Sequence, residues 1–178
     1  IMSIDFTIIS SDVLDGVRIL TPSVFEEERG NIWTSYRNKE IDNLLPNGQT
    51  FNHDKFSQSK HNVLRGIHGD NKSWKLVTCV YGEIHQVVVD MRKSSPTYQK
   101  FQRFVINRQN QKLILVPPGV GNAYYVSGET AVYHYKLSYD GEYIDAEEQF
   151  TVAWNDPELN IDWPTDKPLL STRDARIS

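Results

Sequence analysis

The sequence predicts an all-β chain folded as a single antiparallel sandwich or barrel, on three observations: a succession of short β-branched and aromatic runs, turn chemistry between them, and little helical periodicity. The runs occupy residues 76–81, 83–90, 101–106, 112–116, 122–126 and 130–137. Each is rich in Val, Ile, Phe, Tyr or Thr, side chains that pack well on a pleated surface. Between them stand Tyr81-Gly82, the stretch 93–96 ending in Pro96, Pro117-Pro118-Gly119 and Ser127-Gly128, which provide the fixed or left-handed backbone that a chain reversal needs. Helix is confined to two short places. Residues 38–45 read as a helix closed by Pro46-Asn47-Gly48, and a second turn is expected within 169–176, where Ser171 can cap it.

A chain of 178 residues is the size of one domain and long enough to bury a substantial core. No internal repeat, low-complexity tract or Pro/Gly/Ser-rich linker divides it. The expected organisation is an N-terminal arm and strands over 1–60, a barrel core over 61–140 and a C-terminal extension over 141–178. The first of these carries several polar and aromatic groups before the continuous β region, and is expected to pack outside the barrel or to reach a second subunit. With 39% hydrophobic and 24% charged residues and a formal charge of -4, the composition argues against a general nucleic-acid or membrane-surface partner while leaving room for a small, specific anionic ligand. The opening stretch Ile1-Met2-Ser3-Ile4-Asp5 has no basic flank followed by a long apolar run, so neither export nor a membrane span is expected. Cys79 is the only cysteine and sits in an apolar run, which fits a buried thiol and a reducing, cytoplasmic setting.

Histidine is the first place to look for proton chemistry, because its unperturbed pKa lies nearest neutrality. His61 lies in a polar stretch and reads as a surface residue; His85 and His134 lie inside strands and read as satisfied or outward-facing. His53 and His68 remain. His68 stands in Leu64-Arg65-Gly66-Ile67-His68-Gly69-Asp70, where glycines let backbone or ligand approach an Arg and a His three residues apart. In the strand around 131–136, Tyr133 and Tyr135 point one way and Val132, His134 and Lys136 the other. A tyrosine facing a histidine across a small cavity is a candidate acid. A G-x-S-x-G elbow, a P-loop and a Rossmann glycine pattern are all absent, so a nucleotide, if bound, must be held in some other way.

Further landmarks follow in order: Phe25 through Arg29-Gly30, Ser57 and Ser59, Leu64-Arg65-Gly66-Ile67-His68, Lys75-Leu76-Val77, Gly82-Glu83, Ser95-Pro96-Thr97, Pro118-Gly119, Tyr135-Lys136, Trp154-Asn155-Asp156-Pro157, Ile161-Asp162-Trp163-Pro164 and the stretch 170–174. Over most of its length the chain thereby resembles the RmlC-like family of dTDP-4-dehydrorhamnose 3,5-epimerases. The resemblance implies a cupin-type jelly-roll β-barrel with short flanking helices and an N-terminal arm. It also implies an isomerase that needs no cofactor and no metal, acts on a nucleotide-diphosphate sugar and works as a homodimer. In its terms His68 is the general base, Asp174 the carboxylate that orients it, and Tyr135 the opposing acid, with Tyr133 the competing tyrosine. Lys75 and Arg65 face the sugar ketone and the diphosphate, and Arg29 comes from the arm of a partner subunit.

The residue types suit such chemistry. A ketone at C4 acidifies the hydrogens on both neighbouring carbons, so a base can remove one if the developing enolate oxygen meets a fixed positive charge. Inversion then needs a proton from the opposite face.

The chain also departs from the family pattern. Asn122 stands where the family has a second histidine, so it is expected to hydrogen-bond the substrate without carrying charge, and the reaction can be confined to one centre. With Asp70 two residues after His68 and Asn122 at the later place, His68 also lacks the further imidazoles of an iron, manganese or zinc cupin. The loop from His68 to Lys75 is short. His53 and Lys55 precede Ser57 where the family has Gln and Asn, and Ile32 and Thr34 replace aromatic and acidic residues, all in the nucleotide-contacting region. These features look like a branch acting on GDP-linked 4-keto heptoses for bacterial capsule assembly. Three alternatives stand beside it: a dTDP-4-keto-6-deoxyhexose 3,5-epimerase, a C3-only epimerase and a non-catalytic sugar-binding cupin.

Overall fold

The structure is a computed structural model that describes residues 4–178. Its strands, numbered in chain order, form two sheets and one hairpin. The larger sheet runs, in spatial order, β1 (Phe6–Ser10), β2 (Arg18–Pro22), β10 (Leu113–Val116), β7 (Trp74–Tyr81), β12 (Thr130–Ser138) and β5 (His53–Lys60). The smaller runs β13 (Phe150–Thr151), β6 (Leu64–Gly69), β11 (Val120–Val126), β8 (Ile84–Asp90) and β9 (Phe101–Ile106). The hairpin is β3 (Val24–Glu27) with β4 (Gly30–Trp33). All pairings between these strands are antiparallel, and their jumps between sheets are those of a jelly roll.

Alternation along each strand divides the apolar residues among three cores. Val77, Cys79, Ile114 and Tyr133 from the larger sheet meet Ile84, Val88, Phe104 and Tyr124 from the smaller one inside the barrel. Leu76, Leu113 and Leu115 point the other way and are covered by Ile41 and Leu45, the apolar side of the short helical segment. On the far side of the smaller sheet, Ile67, Val87, Val89 and Ala123 are covered by Leu159, Ile161 and Trp163 of the C-terminal segment. Each fully buried aliphatic side chain contributes roughly 1.5–3 kcal/mol.

The all-β expectation holds, and the run at 101–106 is reproduced residue for residue. The helix expected over 38–45 is one α-turn, α1 (Asn38–Ile41), followed by a 3₁₀ turn at Asp42–Leu44. The second helix is also one turn, α2 (Thr172–Ala175), with the Ser171 hydroxyl accepting the Asp174 N–H at 3.2 Å. The expectation that residues 1–60 pack outside the barrel or reach a second subunit is corrected for β1, β2 and β5. β1 and β2 extend one end of the larger sheet and β5 closes the other, while the β3–β4 hairpin and the helical segment 38–48 lie outside the barrel. β5 was illegible because, as an edge strand of sequence His-Asp-Lys-Phe-Ser-Gln-Ser-Lys, it buries only Ser59 fully. Among the described residues no helix is long and apolar enough to cross a membrane.

Candidate active site

A cavity of about 250 Å³ opens between the two sheets. On its smaller-sheet side the geometry starts from Gly66, whose φ is +123° and where an added Cβ would come within 2.7 Å of the Ala123 Cα. Glycine therefore lets β6 lie against β11 closely enough to bring His68 into register opposite Asn122. The single turn of α2, held by the Ser171 cap, carries Asp174 up to the same strand. One Asp174 carboxylate oxygen accepts the Gly66 N–H at 3.3 Å and the other lies 2.6 Å from His68 Nε2. Asp174 is 2% exposed and His68 23%, so the carboxylate is hidden while the imidazole reaches the cavity. Burial works to raise the Asp174 carboxyl, but the hydrogen bond and charge of His68, the Gly66 N–H and Ser171 outweigh it and hold it below the usual carboxylate range. An ionised Asp174 accepts a hydrogen bond from Nε2–H, which leaves Nδ1 as the basic nitrogen of the ring.

The larger sheet forms the opposite wall. Lys75 on β7 and Tyr135 on β12 both line the cavity. Burial drives the Lys75 ammonium pKa down, with Asp70 partly opposing it. Burial raises the Tyr135 phenol above its ordinary value, with Tyr124 adding to the effect, so the hydroxyl keeps its proton at neutral pH. Arg65 donates from Nε to the Ser59 hydroxyl at 2.9 Å and also lines the cavity. Lys55 and Ser57 enter from β5, where Ser57 lies 2.5 Å from the Tyr124 hydroxyl and Lys55 donates to the Tyr143 hydroxyl at 2.9 Å. An acid–base pair thus spans the cavity with fixed cations beside it, an arrangement that can take a proton from one face of a bound carbon and return one to the other.

Eight of the ten residues singled out in the sequence meet here: His68, Asp174, Tyr135, Lys75, Arg65, Asn122, Lys55 and Ser57. His53 and Arg29 do not. His53 sits among Tyr139 and Tyr143, its Nδ1 3.0 Å from the Tyr139 hydroxyl. Arg29 is at the tip of the β3–β4 hairpin, 83% exposed and paired with Glu27. Tyr133, the competing tyrosine, is fully buried beneath the site and hydrogen-bonded to Gln86, so of the two it is Tyr135 that faces the cavity. His134 is tied to Asp54 at 2.8 Å and His61 to the Gly128 carbonyl at 2.9 Å, in line with structural roles. Among the described residues no three His, Cys, Asp or Glu side chains come together as a metal centre.

Sequence reasoning missed Tyr124, Arg173, Tyr143, Asp145 and Gln149, all on the cavity wall. Tyr124 lies two residues from Asn122 on one strand, so alternation places it on the same face. Arg173 adjoins Asp174 on a one-turn helix. Nothing in the polar stretch 139–149 signals that it crosses the cavity mouth.

The chain and its fold are similar to those of known proteins. The family model described as dTDP-4-dehydrorhamnose 3,5-epimerase matches residues 12–178. The protein of that name from Salmonella typhimurium is 35% identical over 172 residues, covering 94% of this chain and 92% of its own. A dTDP-4-dehydrorhamnose 3-epimerase from Streptomyces niveus is 33% identical over 164 residues, covering 90% of this chain and 78% of its own. Among solved structures, the dTDP-6-deoxy-D-glucose-3,5-epimerase of Legionella pneumophila, in complex with dTDP-4-keto-L-rhamnose, superposes with a TM-score of 0.88 at 32% identity, over 97% of this chain and 92% of that one.

Proposed function

The chain belongs to the dTDP-4-dehydrorhamnose 3,5-epimerase family, and from that premise we propose that it is an isomerase inverting C3, C5 or both in a nucleotide-linked 4-keto-6-deoxy sugar. The observation that carries the proposal is the His68–Asp174 pair at 2.6 Å, facing Tyr135 across one cavity. His68 Nδ1 takes the proton from the carbon next to the ketone, and the C–H electron pair moves into the ring as the ketone oxygen gains charge. Lys75 stabilises that enolate oxygen. The Tyr135 hydroxyl then delivers a proton to the opposite face of the same carbon, and the resulting imidazolium and phenolate return to their starting states by proton exchange with water. The ionised Asp174 holds the ring and supports its positive form. Arg65 lies on the same wall to meet the diphosphate, and Arg29 is assigned to the cavity of a partner subunit in a homodimer.

The named relatives favour a dTDP-linked 6-deoxyhexose as the substrate. A second substrate, a GDP-linked 4-keto heptose, is favoured by one set of observations: His53, Lys55, Ile32 and Thr34 in the nucleotide-contacting region and Asn122 beside the base. Competition decides between them. With both nucleotide sugars in one reaction, kcat/KM is expected to favour the dTDP compound by more than tenfold; a preference of that size for the GDP heptose would reverse the assignment. Failure to epimerise either sugar, with both still bound, would make the protein a sugar-binding module.

A further inference from the structure

Beneath the cavity, three polar side chains close a ring inside the barrel. The Tyr133 hydroxyl donates to Gln86 Oε1 at 2.5 Å, Gln86 Nε2 donates to Asn122 Oδ1 at 2.6 Å, and Asn122 Nδ2 donates to the Tyr133 oxygen at 3.2 Å. All three residues are buried, and neither Gln86 nor Tyr133 lines the cavity. Taken alone, such a ring could run in either direction by flipping both amides. The Val87 carbonyl removes that freedom: Gln86 Nε2 gives it a second hydrogen bond at 3.3 Å, where a flipped Gln86 would set oxygen against oxygen. With Gln86 fixed, Asn122 must turn Oδ1 toward it and commit one Nδ2 hydrogen to Tyr133. The other Nδ2 hydrogen has no partner in the ring, on a residue that borders the cavity and stands opposite His68 in the strand register.

We infer that Gln86 and Tyr133 are positioning residues that hold the Asn122 amide as an uncharged, fixed-orientation donor to the ketone oxygen beside the carbon that His68 deprotonates. The inference rests on the epimerase function proposed above. Its physical content is preorganisation: a donor that need not rotate as the enolate forms stabilises the transition state more than the ground state. The ring makes this possible without a charged group, because a buried Tyr133, whose phenol burial holds far above its ordinary pKa, and two amides carry no charge at any pH near neutrality. Loss of the ring should therefore lower kcat rather than raise KM, and leave the pH dependence unmoved.

A double-mutant cycle tests this. Tyr133→Phe and Gln86→Met, each close to the volume of the native side chain, are expected to lower kcat by about tenfold while KM changes by less than about threefold. In an Asn122→Ala background Tyr133→Phe should change kcat by less than about twofold, because nothing is left to orient. An equal loss in both backgrounds would mean that Tyr133 acts through packing, and would overturn the inference while leaving the epimerase intact. A readout independent of turnover is the side-chain amide of Asn122 by ¹⁵N NMR. In the unaltered protein its signals should lie away from free-asparagine positions and exchange slowly, and Tyr133→Phe should shift them and speed exchange. Free-asparagine signals in the unaltered protein would overturn the inference whether or not the protein turns over a 4-keto sugar.

Discussion

At the residue scale, the candidate site holds three ionisable groups in different environments. Lys75 is pulled down by burial, Tyr135 is pushed up by burial, and Asp174 stays ionised because its partners outweigh its burial. The pH–rate profile should carry the mark of this. Lys75 loses its charge below the ordinary lysine value of roughly 10.4, so the alkaline limb of kcat/KM belongs to Lys75 and not to Tyr135. A Lys75→Arg protein that stays active should shift that limb upward; an unmoved limb would assign it to another group. Asp174→Asn removes the acceptor for Nε2–H and is expected to lower kcat by roughly 10²–10⁴-fold, read from steady-state rates at neutral pH. His68 was legible because glycines flank it in an unusual Arg-Gly-Ile-His run. Asp174 was not legible by pattern, since a carboxylate near a chain end ordinarily faces water, and only its place in the ordered family landmarks singled it out. The Gln86–Asn122–Tyr133 ring was legible in neither way. Strand alternation says which residues share a face, but not which polar groups meet across three strands.

At the element scale, the site depends on short segments held by local hydrogen bonds. The Asp70 carboxylate accepts the N–H groups of Lys72 at 2.8 Å and Ser73 at 2.6 Å, which closes the short connection from β6 to β7 and sets Lys75 at the cavity. α2 is one turn long, so its Ser171 cap matters more than in a longer helix. Ser171→Ala should cost about 0.5–2 kcal/mol in denaturant unfolding and lower kcat as well, because Asp174 loses its support. A stability loss with kcat unchanged would separate the cap from the site. The Asp90 loop gives a control away from the chemistry. Burial would raise the Asp90 carboxyl, but Arg92, Ser95 and Thr97 outweigh it and hold it down at about 2. A depressed folded-state pKa adds stability that is complete above the unfolded value near 3.9 and is lost as pH falls toward 2. Asp90→Asn should therefore destabilise the protein by roughly 2–3 kcal/mol at neutral pH and flatten the acid side of its stability profile. The middle strands were readable from their β-branched runs. β5 and the segment that covers the cavity were not, because they are polar outside and held by pairing and coverage rather than by an apolar face.

At the scale of the whole molecule, one element bears on the proposed homodimer. The β3–β4 hairpin pairs only with itself, exposes Phe25 and Ile32, and carries Arg29 at its tip. A two-stranded hairpin is marginal alone in water, and a partner subunit would both cover it and receive its arginine. Sedimentation should give the mass of two chains, and Arg29→Ala should raise KM with little change in kcat. A monomer with full activity would leave Arg29 without its assigned role.

In the proposed mechanism His68 removes the carbon-bound hydrogen that is returned from the Tyr135 side. The most direct test of that claim is proton NMR of the protein with a dTDP-linked 4-keto-6-deoxy hexose in deuterated water, beside His68→Ala and Tyr135→Phe proteins. Deuterium should enter at C3, and at C5 if both centres are inverted. It should be absent without His68, while Tyr135→Phe should keep exchange and lose inversion. Undiminished exchange in the His68→Ala protein would contradict the claim.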